Sequence, residues 1–321
     1  MTGVELSLIK KKIGFVGYGN QAKKLISILN KKKFKINNIY VRNIKKYNKK
    51  IFTNNLSDLL QNEVIFICTP NNIHYKFIKF FHKGRYVFCE KPPVNTLKEL
   101  NLLKKINHNK IYYNYNYRFS DLSFLINSYK KKLGKLIYSN ISFSHGLATK
   151  KIYLKSWRSN IHKAPKGISE ILSIHFLDLI NFHFNIKKFL IRNENFQKKK
   201  KSIDTAYINI LLDSNAVINI FNSYYTPKND SKSFIFENGI ILENSKDIKV
   251  NLNRDTFDKK GNFTDPPEIY NKKFKSKNAH DTSLLNSVNF FFNTVKKNNN
   301  FSKKMTNKSF ETNQYILIGK I

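Results

Sequence analysis

The chain predicts an α/β fold: a doubly wound parallel sheet in its first third, followed by a second, β-rich domain. Two observations carry the first part. Short, almost wholly apolar runs lack the period-two alternation of a half-exposed strand, and helical segments separate them. A third observation is the stretch "IGFVGYGNQAKK", Ile13 to Lys24, where an apolar run passes into a helix through Gly17, Gly19 and Ala22. With 321 residues, 41% of them hydrophobic, the chain is long enough for two domains with their own cores.

The elements follow in order. "KKIGFV" reads as a strand, and "NQAKKLISILNKKK" places Ala22, Leu25, Ile26 and Leu29 at helical spacing. "INNIYV" is a second strand, "EVIFICT" a third, "NIHYKFIKFFHKG" a helix, "RYVFCE" a fourth strand, "TLKELNLLKKINH" a helix and "KIYYNYN" a fifth strand. Beyond the join near Tyr117 to Ser120, "KLIYSNISFSH", "DTAYINILLD", "AVINIFNSYY", "SFIFEN" and "GIILEN" are β-rich runs separated by turn residues. "LLNSVNFFFNTVKK" and the last fifteen residues read as helices. The expected division is residues 1–118 and 119–321.

The formal charge of +37, from 58 basic and 21 acidic residues, raises the reading of a nucleic-acid-binding protein. Only six of the basic residues are Arg, however, and the Lys excess comes with many Asn, Ile, Phe and Tyr, all with A/T-rich codons. Bidentate recognition of phosphate or guanine would favour Arg. Runs such as Lys198 to Lys201 therefore read as solvated loop charge, and nucleic acid is not the expected partner. Cys68 and Cys89 lie in apolar runs, where a free Cys behaves as a small buried hydrophobe. That usage fits a reducing, cytoplasmic location. Neither C-x-x-C nor H-E-x-x-H spacing occurs, so no metal is expected. The apolar run in "MTGVELSLIKKK" is too short for an export signal, and no run approaches the roughly 18 apolar residues of a membrane span.

At the end of a strand and the start of a helix, Gly17, Gly19 and Ala22 take on a ligand-binding sense. Gly17 would permit the tight turn, Gly19 would let the backbone approach a pyrophosphate, and Ala22 would keep the helix close to the sheet, with Asn20 opening that helix. A glycine turn without a ligand is the competing reading. "ICTPNNIHYKFI" then sets Thr69, Pro70, Asn71 and His74 at the end of the third strand, and "VFCEKPPV" sets Glu90 and Lys91 at the end of the fourth. Both ends belong to the carboxyl edge of the sheet, where doubly wound folds bind ligands.

With "NYNYRFSDL" and "KSWRSNIHKAPKGISEILSIHFLDLI" added, this order of motifs resembles the Gfo/Idh/MocA family of NAD(P)-dependent oxidoreductases. The resemblance implies a Rossmann domain and an α+β domain with an open, mainly antiparallel sheet that often forms the subunit contact. It also implies hydride transfer between a nicotinamide and a secondary hydroxyl or ketone of a sugar, cyclitol or nucleotide-sugar. Lys91 and His175 are then the catalytic candidates. Gly17, Gly19, Asn20, Ala22, Arg42, Thr69, Pro70, Asn71, His74, Glu90, Trp157 and Arg158 are the cofactor candidates, with Arg118 and Asp178 near the substrate.

Each role has a plainer rival. Lys91 is one lysine of many, although a Lys before two prolines at a strand end is held more firmly than solvation requires. A Lys whose pKa is lowered by burial or a cationic neighbour serves as proton acceptor or donor. Glu90 either orients Lys91 or is structural, His74 either meets the nicotinamide or satisfies backbone groups at a helix start, and His175 is otherwise a core histidine.

Two departures stand out. The second strand ends "IYVRN", with Arg42 and no carboxylate, so NADP is favoured over NAD. The family usually carries an Asp four residues before the catalytic His, where this chain has Ile171. Glu170 would lie about 140° around an α-helix from His175 at 100° per residue, leaving Asp178 as the expected orienter. A noncatalytic, cofactor-binding sensor or scaffold is the alternative that Ile171 raises.

Overall fold

The computed structural model describes residues 11–47, 50–253, 257–274 and 279–320. The segment Met1 to Lys10, which holds most of the stretch weighed above as an export signal, lies outside the described residues. The chain divides into two compact units, residues 1–115 with 287–314 and residues 116–286 with 315–321.

The first unit is built on β1 (Ile13–Val16), α1 (Asn20–Lys31), β2 (Ile36–Tyr40), β3 (Phe52–Thr53), β4 (Val64–Ile67), α2 (His74–Phe81), β5 (Tyr86–Glu90), α3 (Leu97–Leu103) and β6 (Ile111–Asn114). All strand pairs are parallel, in the order β3-β2-β1-β4-β5-β6. Every residue of β1, β4, β5 and β6 is buried, which is why these runs show no alternation. In α1, Ala22, Leu25 and Leu29 face the sheet. A reciprocal cap starts α3: the Thr96 hydroxyl accepts the Glu99 N–H at 3.2 Å, and the Glu99 carboxylate accepts the Asn95 N–H at 3.4 Å. The sheet has one strand more than expected, the two-residue β3, too short to leave a pattern.

A single cut after residue 118 does not describe the division, because residues 287–314 fold with the first unit. The reason is aromatic. Phe15, Phe66 and Phe88 stack across β1, β4 and β5 at 4.7 and 4.8 Å. The run "NFFFN" lays Phe291 5.7 Å from Phe66, and Phe292 4.3 Å from Phe34.

The second unit adds α4 (Asp121–Leu133), β7 (Leu136–Ser144), the one-turn α5 (Lys151–Leu154), a π-helical turn at Ser169–Ser173 and α6 (Ile174–His183). It continues with β8 (Ile186–Glu194), β9 (Thr205–Leu212), β10 (Val217–Ser223), β11 (Asn229–Phe236), β12 (Gly239–Asn244), β13 (Asp247–Leu252) and β14 (Glu268–Lys273). Its sheet runs β14-β13-β12-β11-β7-β10-β9-β8 and is antiparallel except for the β7–β10 pair. The helices α7 (Ala279–Lys296) and α8 (Lys303–Ile318) complete the chain. No helix among the described residues is long and apolar enough to cross a membrane.

Candidate functional site

The carboxyl edge of the parallel sheet gathers most of the sequence candidates. Gly17 sits at φ +93°, and a Cβ there would lie 2.7 Å from the Cys68 carbonyl oxygen, so the turn requires glycine. Gly19 is different. It caps α1 in an extended conformation, and a Cβ built on it would meet nothing within 4 Å. No side chain caps α1 and no acidic residue occupies its first turn, so its N-terminal amides donate no capping hydrogen bond to a side chain.

At the end of β4, Thr69 Oγ1 and Asn71 Nδ2 are buried atoms with no hydrogen-bond partner among the described residues. Such atoms are costly to leave unpaired, and here they lie on the sheet edge where doubly wound folds bind ligands. These observations fit a dinucleotide: the amides of α1 and the backbone of Gly17 and Gly19 would hold the pyrophosphate, and Thr69 and Asn71 would bond its further polar groups.

His74 does not join them. It is fully buried, with Nδ1 2.7 Å from the Pro92 carbonyl and Nε2 2.9 Å from the Thr69 carbonyl. Both ring nitrogens are engaged, so the expected contact with the nicotinamide is corrected: His74 ties the Thr69 turn to the loop after Lys91. Burial lowers its pKa and the charge of Lys91 adds to this, while the two carbonyls work against it.

Glu90 is buried at the end of β5, where Oε1 accepts hydrogen bonds from Gln21 Nε2 at 3.0 Å and Asn114 Nδ2 at 2.8 Å. Burial raises its pKa, against the pull of these amides and of Lys91. Lys91 follows it, half-buried, on the same edge. Gln21 and Asn114 were not singled out from the sequence, although Asn114 ends β6 on the edge where polar groups gather. Arg42 is exposed just past β2.

The second unit holds the other candidates. Arg118 and Asp178 form a bidentate pair, Nε–Oδ2 2.8 Å and Nη2–Oδ1 2.6 Å, with side chains 2% and 1% exposed. The guanidinium also lies 5.1 Å from the Phe182 ring. The two residues expected near the substrate are thus paired with each other inside the second unit. A carboxylate held twice by a buried arginine is committed to that arginine.

His175, 7% exposed, stacks on Tyr117 with ring centroids 4.8 Å apart and planes at 27°. Tyr117 was missed because an aromatic residue at a domain join has no pattern of its own. Its hydroxyl is pushed up to about 12, chiefly by burial, so it stays protonated at neutral pH; the charge of Lys232 works against this and the carboxylates of Glu243 and Asp230 with it. Lys232 is itself buried and salt-bridged to Asp230 and, at 2.8 Å, to Glu243. Trp157 and Arg158 share a 3₁₀ turn, with the guanidinium 5.0 Å from the indole ring.

Residues 11–112 match the profile of Gfo/Idh/MocA, described as "Oxidoreductase family, NAD-binding Rossmann fold". No curated protein sequence matches the chain. Among solved structures, a levoglucosan dehydrogenase in complex with NADH and levoglucosan is 16% identical, with a TM-score of 0.76 and 95% of each chain covered. A myo-inositol dehydrogenase from Corynebacterium glutamicum ATCC 13032 is also 16% identical, with a TM-score of 0.73 and 96% of each chain covered. GenD2 from gentamicin A biosynthesis, in complex with NAD, is 12% identical with a TM-score of 0.75, covering 97% of this chain and 95% of that one. Residues 11–112 thus resemble the NAD-binding Rossmann domain of the Gfo/Idh/MocA oxidoreductases, and the fold shared with these solved structures extends along nearly the whole length of the chain.

Proposed function

We propose that the protein is an NAD(P)-dependent dehydrogenase or reductase that interconverts a secondary hydroxyl and a ketone on a sugar, cyclitol or nucleotide-sugar. The observation that carries this reading is the edge itself: an uncapped helix start beside Gly19, two unpartnered buried polar atoms and a half-buried lysine at the ends of neighbouring parallel strands. The fold neighbours that act on levoglucosan and myo-inositol support the substrate class. The nicotinamide, when bound, supplies the hydride acceptor or donor.

The residues do the rest. Removing hydride from a carbinol carbon leaves a carbonyl, and the hydroxyl proton must leave with it. Lys91 Nζ takes that proton in oxidation and returns it in reduction, and His175 is the second proton-transfer group. Trp157 and Arg158 would contact the cofactor. Arg42, with no carboxylate at the end of β2, favours NADP by pairing with a 2′-phosphate.

Nicotinamide absorbance over a panel of sugars and cyclitols tests the reading. Lys91→Ala should bind NAD(P)H normally and turn over at least about 10²-fold more slowly, the loss expected of an acid–base group. Binding of cofactor without turnover of any polyol would favour the noncatalytic reading. Tighter binding of NADH than NADPH, unchanged in Arg42→Ala, would remove the NADP preference.

The same reading includes a homo-oligomer formed through the second sheet. The outward residues of β7, β9, β10 and β11, among them Tyr138, Asn140, Val217, Asn219, Phe221 and Ile235, include no charged side chain. In a chain of charge +37 this face is where two copies can meet without repulsion. Light scattering should show a dimer that Asn219→Lys dissociates; a monomeric parent at micromolar concentration would exclude it.

A further inference from the structure

We infer that Glu170 is the positioning residue for His175, brought to it by the π-helical turn at Ser169–Ser173; this rests on the dehydrogenase reading above. In an α-helix the residue one turn before position 175 is Ile171, and Glu170 points elsewhere. Here the Ile174 N–H bonds the Ser169 carbonyl, an i→i+5 contact, so one extra residue is wound into the turn. Across such a turn, residues five apart occupy the places that residues four apart take in an α-helix. Glu170 and His175 are five apart.

The surroundings agree. Glu170 is 1% exposed, and one carboxylate oxygen accepts the Lys166 N–H at 3.1 Å. Ile171 packs instead against the apolar cluster of Ala148, Tyr153, Ile168, Ala206 and Tyr224, which explains why an apolar residue stands there. Among the described residues, Asp178 is paired with Arg118, and Asp230 and Glu243, whose charges act on Tyr117, are paired with Lys232. A helical side chain also reaches back toward the preceding turn, the direction in which Glu170 lies from His175. A carboxylate there would fix the tautomer of the imidazole and support its protonated form.

Glu170→Gln keeps an acceptor for the Lys166 N–H, so it tests the charge alone. It should leave NAD(P)H binding and the melting temperature as in the parent, lower kcat by about 10²-fold and narrow the pH range of activity. It should also move the NMR titration midpoint of the His175 ring down by about one unit, as loss of a carboxylate neighbour does. In a His175→Asn background it should have no further effect. The double variant Glu170→Gln with Ile171→Asp separates the two registers: it stays slow if the π turn sets the geometry, and a recovered rate would overturn the inference. Unchanged kinetics and an unchanged His175 midpoint in Glu170→Gln would overturn it too. Should that variant fail to fold, a parent midpoint below about 6.5 would do the same. If the parent turns over no substrate, the dehydrogenase reading fails while the NMR comparison still decides the pairing.

Discussion

The two units place their polar groups in opposite ways. In the first, Gly17, Gly19, Thr69, Asn71, Glu90 and Lys91 all lie at or just past the end of a parallel strand, on one edge of the sheet. In the second, Tyr117, Arg118, Glu170, His175, Asp178 and Lys232 come from a turn, a helix and a sheet strand, with pairings that depend on how those elements pack. An edge site survives changes that leave the strands intact. A site made of packed helices and buried ion pairs is also part of the core, so its residues carry stability as well as chemistry.

The largest expected effect follows from that difference. Arg118→Ala leaves the Asp178 carboxylate buried without its guanidinium and should cost about 3–5 kcal/mol in denaturant unfolding, whereas Arg118→Met with Asp178→Leu should cost far less. A loss below about 1 kcal/mol, the range of surface ion pairs, would mean that this pair is no more structural than those.

A pH effect confined to the second unit comes next. His183 Nε2 is 2.7 Å from Ser123 Oγ, whose own hydrogen goes to the Arg118 carbonyl at 2.8 Å, so the ring nitrogen is the donor. Burial, then the charges of Lys130 and Arg118, lower the His183 pKa to about 4. Between about 4 and the unfolded value of about 6.5 the unfolded chain holds more protons, so this stability is complete above 6.5 and is lost as pH falls toward 4. The loss should reach about 3 kcal/mol, and His183→Asn should flatten the melting temperature across that window. A parent curve equally flat would refute the assignment.

The smallest effect on stability separates the two glycines of the edge. Gly17→Ala must adopt a strained φ and meet the Cys68 carbonyl, for a cost of about 1–3 kcal/mol. Gly19→Val has room for its side chain and should melt within about 0.5 kcal/mol of the parent, yet lose dinucleotide binding, because the new methyls occupy the space before α1. Equal binding by the Gly19 variant and the parent would move the pyrophosphate site elsewhere.

The parallel sheet was legible because its buried strands, glycine turn and edge motifs are each written in a few consecutive residues. The antiparallel edge of the second sheet was not. β8 and β14 carry Lys, Arg and Glu on their open sides and resemble loops, and β13 is hardly more apolar. The helix α4 was passed over for a similar reason: "DLSFLINSYKKKL" ends in three lysines, although Ser120 caps its start and Gly134 ends it.

By itself the sequence determined the α/β order, the glycine turn between β1 and α1, the polar edge at Thr69 and Lys91, and the family that residues 11–112 match. These are local: a strand end and the turn after it fix where each side chain goes. Only the tertiary structure decided that His74 is a strut, that Arg118 holds Asp178, that residues 287–314 return to the first unit, and that one extra residue is wound before His175. Each depends on a partner distant in the chain or on a helix departing from 100° per residue. A buried polar group takes whichever partner packing brings within about 3 Å, and spacing along the chain does not name that partner.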